Sequence, residues 1–312
     1  MRRVAACVAL AASMLGAVVA HAADGVRPRA DSPPRVVMTG YFSRVPIELI
    51  QGTPVIQVEV NGHGPFRFAI DTGHDVIALS AALAESLGLS QASTIDSIAF
   101  GTVRLERVRA TPMQASGSGI DGLLGLPAFD SVLMTIEYAR KQLVVVRDSL
   151  PPADGMDILA MHRTGTSWTV PLQIGDRTFD STIDTGSMDG IDFALADTSR
   201  VRWSGPLQLV GRAGGPGAAD VTIYGGVLAD DATLGRHVIQ KPFARAHTVP
   251  GDGAQNLRIG SEVLQNFIFT LDQAHGRARF MRSESDPIVL PDPRNGPPPG
   301  TTGGTTQGKR GK

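Results

Sequence analysis

The chain has 312 residues, 42% of them hydrophobic, with 29 Lys and Arg against 30 Asp and Glu. That length accommodates two ordinary domains, and the even charge balance provides no basic surface for nucleic acid. The single cysteine, Cys7, lies in a segment expected to be removed, which excludes disulfides and thiolate chemistry from the mature protein.

Arg2 and Arg3 precede an apolar run from Val4 to Ala20, and Ala20-His21-Ala22 supplies a small-x-small cleavage pattern. Residues 1–22 therefore read as a secretory signal. The run is short and rich in Ala, and a polar, Pro-containing stretch follows it, which disfavours an anchor. Removing Arg2 and Arg3 leaves 27 basic residues against 30 acidic ones, a formal charge of −3. The mature chain is expected in the periplasm or outside the cell, with no membrane span, because no other stretch approaches the roughly 20 apolar residues needed to cross a bilayer.

Residues 23–36 read as a flexible lead-in. Beyond them, short apolar runs bounded by Gly, Pro and Asp favour strands over helices. Examples are Val55–Val60, Phe66–Ile70 and Leu143–Val146. In the first of these the alternation is poor at the start and better at the end. One helix is predicted over Ser80–Leu87, with Ser80 as N-cap and Gly88 where a left-handed residue is wanted.

The two halves repeat. Pro65-Phe66-Arg67-Phe68-Ala69-Ile70-Asp71-Thr72-Gly73 returns as Arg177-Thr178-Phe179-Asp180-Ser181-Thr182-Ile183-Asp184-Thr185-Gly186. A strand and a turn precede each copy, and each half closes alike: Leu124-Gly125 leads to Thr135 with the same spacing that takes Ile259-Gly260 to Thr270. The expected fold is mostly β, with two homologous lobes related by a pseudo-two-fold axis and few short helices. The boundaries are a first lobe at 37–147, a connector at 148–163, a second lobe at 164–284, and a disordered Pro/Gly/Thr tail at 285–312.

A carboxylate at the end of an apolar strand is partly desolvated, which raises its pKa unless donors surround it. Gly73 and Gly186 let the backbone turn close to Asp71 and Asp184 and offer N–H groups, while Thr72 and Thr185 add hydroxyls. If the lobes pack about the axis, Asp71 and Asp184 meet there. Two carboxylates so close share one proton, leaving one as base and the other as acid. Such a pair can hydrolyse an amide without a metal or other cofactor. No histidine spacing suggests a metal site, and no Gly-x-Ser-x-Gly elbow is present.

Phe68–Gly73 and Ser181–Ser187 resemble the active-site loops of the retropepsin-like and pepsin-like aspartic proteases. Ile120-Asp121-Gly122-Leu123-Leu124-Gly125 is similar to the family's later apolar-apolar-Gly element, and Leu257-Arg258-Ile259-Gly260 is its counterpart, with Arg258 where an apolar residue is usual. The resemblance implies Asp71 and Asp184 as catalytic residues, and Thr72, Gly73, Thr185, Gly186 and Ser187 as loop support. Thr72 and Thr185 would bond across the axis. It also implies an extended peptide or protein substrate, and a monomer because one chain carries both carboxylates.

Two features depart from the pattern. His74 stands where Ala or Ser is usual. It either contacts Asp71 and alters its ionisation or points outward along the strand, the simpler expectation; it could also mark decayed activity. The first half has no Gly-rich hairpin between Gly73 and Gly101 to act as a flap. The second half has a candidate in Gly211–Gly217 and Val221–Gly226, with Tyr224 and Gly225 as the flap residues. Asp75 and Asp189 read as local hydrogen-bond partners. The function expected is an aspartic endopeptidase; the alternative is a catalytically inactive relative that binds peptide or protein in the same cleft.

Overall fold

The computed structural model describes residues 33–89, 94–113, 119–213, 221–248 and 257–295. The expected signal segment and the tip of the Gly-rich hairpin lie outside the described residues. Strands dominate, and the two lobes follow one plan.

In the first lobe, β1 (Arg35–Met38), β2 (Phe42–Pro46) and β3 (Glu48–Ile50) lead into β4 (Thr53–Val60) and β5 (His63–Ile70). After the Asp71 loop come β6 (Ile77–Ser80) and α1 (Ala81–Ser86), then the long pair β7 (Thr94–Phe100) and β8 (Val103–Met113). The lobe ends with β9 (Gly122–Leu124), β10 (Leu133–Glu137) and β11 (Gln142–Val146). The helix is set by local chemistry. Ser80 caps it by accepting from Leu83 N at 3.2 Å, and Gly88 takes φ +65° as the chain leaves.

The linking segment forms β12 (Ile158–Ala160) and β13 (His162–Thr164). The second lobe then runs β14 (Ser167–Ile174), β15 (Arg177–Asp184), β16 (Ile191–Ala194), β17 (Gln208–Ala213) and β18 (Val221–Val227). It continues through β19 (Ala232–Leu234), β20 (His237–Ile239), β21 (Phe243–His247), β22 (Leu257–Gly260), α2 (Ser261–Leu264), β23 (Ile268–Asp272) and β24 (Arg277–Met281).

The shared plan is visible in the pairing. β5 runs parallel to β9, and β6 runs antiparallel to β9 and parallel to β8. In the second lobe β15 runs parallel to β22, and β16 runs antiparallel to β22 and parallel to β21. Each Asp-Thr-Gly loop thus sits between two strands that both flank its lobe's closing element. The hairpin β17–β18 is an addition to the second lobe, and it supplies an edge of that sheet.

A third sheet joins the lobes, in the order β12-β24-β23-β10-β11-β2. At its centre β10 pairs with β23, with Thr135 opposite Thr270 and their hydroxyls 2.9 Å apart. The equal spacing seen in the sequence brings these two threonines together. One apolar core runs through both lobes and this sheet, with Phe68, Ile70, Leu124, Phe129, Met134, Phe193, Ile259, Phe269 and Phe280 among its buried members. Full burial of each such side chain is worth about 1.5–3 kcal/mol.

The weak alternation at the start of β4 has a physical cause. Thr53, Pro54, Val55 and Ile56 are all buried, because Val55 joins a second cluster with Ala69 and Ile120 while Ile56 enters the main core. A strand covered on both faces loses its period of two.

Two boundaries are corrected. Arg35 and Val36, expected in the lead-in, belong to β1, which pairs with β8. The connector contributes β12 to an edge of the shared sheet. The tail expected to be disordered from 285 is packed as far as 295. Ile288 and Leu290 are buried, and Ile288 exchanges backbone hydrogen bonds with Val238 and Gln240 at 2.8 Å each. Two apolar residues among prolines suffice to dock that strip against β20; residues 296–312 lie outside the described part. Among the described residues no helix is long and apolar enough to cross a membrane.

Candidate active site

Asp71 follows the last residue of β5 and Asp184 is the last residue of β15, so each lobe's central strand delivers one carboxylate to the boundary between lobes. The loops are clasped from beneath. Gly125 N donates to Val76 O at 3.0 Å and Leu126 N to His74 O at 2.9 Å; Gly260 N donates to Gly190 O at 2.9 Å and Ser261 N to Ser187 O at 2.8 Å. A side chain at Gly125 or Gly260 would collide with the carbonyls of these same loops, which explains the glycine closing each element.

The two loops are tied to each other reciprocally. Thr72 Oγ1 donates to Ile183 O at 2.7 Å and accepts from Thr185 N at 3.1 Å. Thr185 Oγ1 donates to Ile70 O at 2.8 Å and accepts from Thr72 N at 3.1 Å. Both threonines are buried, so these four bonds form in a dry environment where an unmade one is costly. Thr53 Oγ1 donates to Gly186 O at 3.1 Å and Ser261 Oγ to Thr185 O at 2.9 Å, holding the second loop from both lobes.

Each carboxylate rests against the opposite lobe's glycine. A Cβ added to Gly73 would lie 2.5 Å from Asp184 Cγ and 2.7 Å from each of its oxygens, and one added to Gly186 would overlap the carboxyl of Asp71. Both side chains therefore lie where the two loops meet, with residue exposures of 6% for Asp71 and 5% for Asp184. Gly73 N donates to Asp71 Oδ1 at 2.9 Å, while Gly186 N and Ser187 N both donate to Asp184 Oδ1 at 3.0 Å. Burial, and then the charge of Asp71, push the Asp184 carboxyl up to about 6, against the opposing effects of Arg258, His74 and the Ser187 amide.

His74 does not point outward. Its Nδ1 lies 2.9 Å from Asp71 Oδ2, because the tight turn at Gly73 folds the chain back over the carboxylate. Ser187, at the same place in the second loop, instead accepts from Asp189 N through Oγ at 3.3 Å. Asp189 itself is ion-paired with Arg245. Tyr224 and Gly225 are ladder residues of β18, paired with Ala246 and Arg245 of β21, and a Cβ on Gly225 would meet the Phe243 ring. Among the described residues no hydrogen bond joins either to the aspartates, and residues 214–220 of the expected flap lie outside them.

Residues 56–117 match the family described as “gag-polyprotein putative aspartyl protease”. The matched segment is similar to the retropepsin-like aspartyl proteases, which supports an aspartic-protease assignment for this part of the chain. It spans β4 to the stretch beyond β8 and so contains Asp71, Thr72 and Gly73. The second lobe lies outside the match, and shares with the first its strand pairing and an Asp-Thr-Gly. No curated protein matches the chain.

Reading the motifs alone overlooked an ionic group on the second loop's flank. Arg258 Nη1 lies 3.7 Å from Asp184 Oδ2, and its Nη2 donates to Asp192 Oδ2. The other oxygen of Asp192 is 2.9 Å from His247 Nδ1. Burial alone would raise the Asp192 carboxyl, but His247 and Arg258 together hold it below the usual range. For Arg258, the two neighbouring carboxylates outweigh burial and keep the guanidinium charged. The signal for it was Arg258 itself, a charge inside an otherwise apolar closing element; Asp192 and His247 carried none, because their partners are 55 and 66 residues away.

Proposed function

We propose that this protein is an aspartic-type endopeptidase in which Asp71 and Asp184 share one proton and activate a water molecule between the lobes. The reading rests on one observation: two Asp-Thr-Gly loops from separate lobes are braced against each other through Thr72 and Thr185, with each carboxyl seated on the other loop's glycine. In this reading the shared proton resides on Asp184, whose ionisation is disfavoured, and Asp71 is the base. Asp71 takes a proton from water as the water oxygen bonds to the peptide carbonyl carbon. Asp184 gives its proton to the carbonyl oxygen. Collapse of the tetrahedral adduct breaks the C–N bond, the leaving nitrogen takes a proton from Asp71, and the hydroxyl proton returns to Asp184. The dyad is restored without metal or covalent intermediate.

The substrate is an extended peptide or protein segment, and the enzyme works as an exported monomer, in the periplasm or outside the cell. The second reading, a peptide-binding relative without turnover, draws on His74, whose ring occupies Asp71 Oδ2 where water would otherwise bond.

Peptide-library hydrolysis across pH by the mature protein tests the two. Asp71→Asn and Asp184→Asn are each expected to abolish turnover and leave the circular dichroism spectrum unchanged. Wild-type cleavage rates in both variants would remove the dyad assignment. Binding without cleavage by the wild type would favour the second reading.

A further inference from the structure

The pairing of the lobes allows a position-by-position comparison beside the two aspartates. In the first lobe Ala78 stands opposite Leu123, and Ser80 opposite Met113; Ala78, Leu123 and Met113 form a small buried apolar cluster. In the second lobe the same ladder positions are Asp192 opposite Arg258, and Ala194 opposite His247. Asp192, Arg258 and His247 are joined by ion pairs. An apolar trio on one side of the dyad is thus replaced, residue for residue, by an ionic trio on the other.

Burying three ionisable side chains where three apolar ones fit is costly, and a buried pair is weak support for stability. The fold tolerates the apolar alternative at the matching positions of its own first lobe. A function beyond packing is indicated, and the exposures say which group performs it. The side chains of Asp192 and His247 are 5% and 11% exposed and that of Arg258 30%, so Arg258 is the member of the trio that a ligand beside the dyad can reach. One of its nitrogens is committed to Asp192. Nη1 faces Asp184 at 3.7 Å, beyond hydrogen-bond length, and Nε is buried with no hydrogen-bond partner among the described residues. A guanidinium only donates, and its planar fork fits a carboxylate.

We propose that Arg258 is a specificity residue, receiving an acidic side chain of the bound peptide immediately beside the bond that meets the dyad. This rests on the endopeptidase reading for the word “bond”; the recognition itself needs only peptide in the cleft. The distance from Arg258 to Asp184 sets the location, since a group within 4 Å of the dyad carboxyl cannot reach residues far along the peptide. Asp192 and His247 are positioning residues that hold the guanidinium from behind.

The test uses the mature protein and peptide pairs that differ only by Glu or Gln at one position flanking the scissile bond. The wild type is expected to favour Glu by about tenfold or more in kcat/KM, the size of a charge-assisted contact. Arg258→Leu is expected to bring the ratio near one. Because that variant strands Asp192, the triple variant Asp192→Ala, His247→Met, Arg258→Leu, which copies the first lobe, is measured beside it and is expected to do the same. The ratio compares two substrates of one enzyme, so any change in the overall rate cancels. A wild type that cleaves both peptides equally at every flanking position overturns the inference and leaves the endopeptidase reading intact, as does a triple variant that keeps the Glu preference. If the wild type cleaves neither peptide, equilibrium binding of the same pair decides. A Glu preference lost in the triple variant supports Arg258 while the endopeptidase reading falls; equal binding overturns both.

Discussion

Replacing Thr72 by Val keeps the shape of the side chain and removes only its hydroxyl. That hydroxyl makes two buried bonds across the lobe boundary, to Ile183 O at 2.7 Å and from Thr185 N at 3.1 Å. The change leaves a carbonyl and an amide unpaired in a site where Thr185 has no measurable exposure. Each such group costs about 1–3 kcal/mol, so Thr72→Val should destabilise the fold by about 2–6 kcal/mol. Against a total stability of about 5–15 kcal/mol, that is a large share. Urea unfolding followed by circular dichroism measures it, and Thr72→Ser, which keeps the hydroxyl, should recover most of the loss. Thr185→Val should cost a similar amount through Ile70 O and Thr72 N. The double variant should cost less than the two singles together, because water reaches the second pair once the first has parted. A Thr72→Val midpoint corresponding to less than about 0.5 kcal/mol would refute the view that these bonds hold the loops together.

Two further predictions concern protons. The Asp184 carboxyl sits at about 6 in the fold against 3.8 for the ordinary group, so the native state holds its proton more tightly than the unfolded chain does. Its contribution to stability is fully present below about pH 3.8 and is lost as pH rises through about 6, a decline of roughly 3 kcal/mol. Asp184→Asn should flatten the stability profile across that window, and an unchanged slope between pH 4 and 7 would count against it. His74→Ser, which gives the first loop the residue of the second, removes a charge that lowers Asp184. The alkaline limb of the kcat/KM profile should then move to higher pH with KM little altered; an unmoved profile would show that the His74 ring does not act on the dyad.

Sequence alone determined the features that reside in a few neighbouring residues. The Ser80 cap and Gly88 exit of the short helix are written within nine positions, and the duplicated Asp-Thr-Gly loops and their closing glycines are legible because close backbone approach demands those residue types. Equal spacing from Leu124 to Thr135 and from Ile259 to Thr270 is enough to announce the pseudo-symmetry. Only the tertiary structure decided where His74 turns its ring, since an imidazole one residue past a tight turn can face either way until the carboxylate of Asp71 is fixed. The ionic trio was likewise unreadable: Asp192, His247 and Arg258 come from three strands, and only their ladder register makes them neighbours. The strip at 286–295 follows the same rule. Its composition is that of a disordered tail, but Ile288 and Leu290 dock because β20 presents a free edge for them, a surface that exists only once the second lobe has folded.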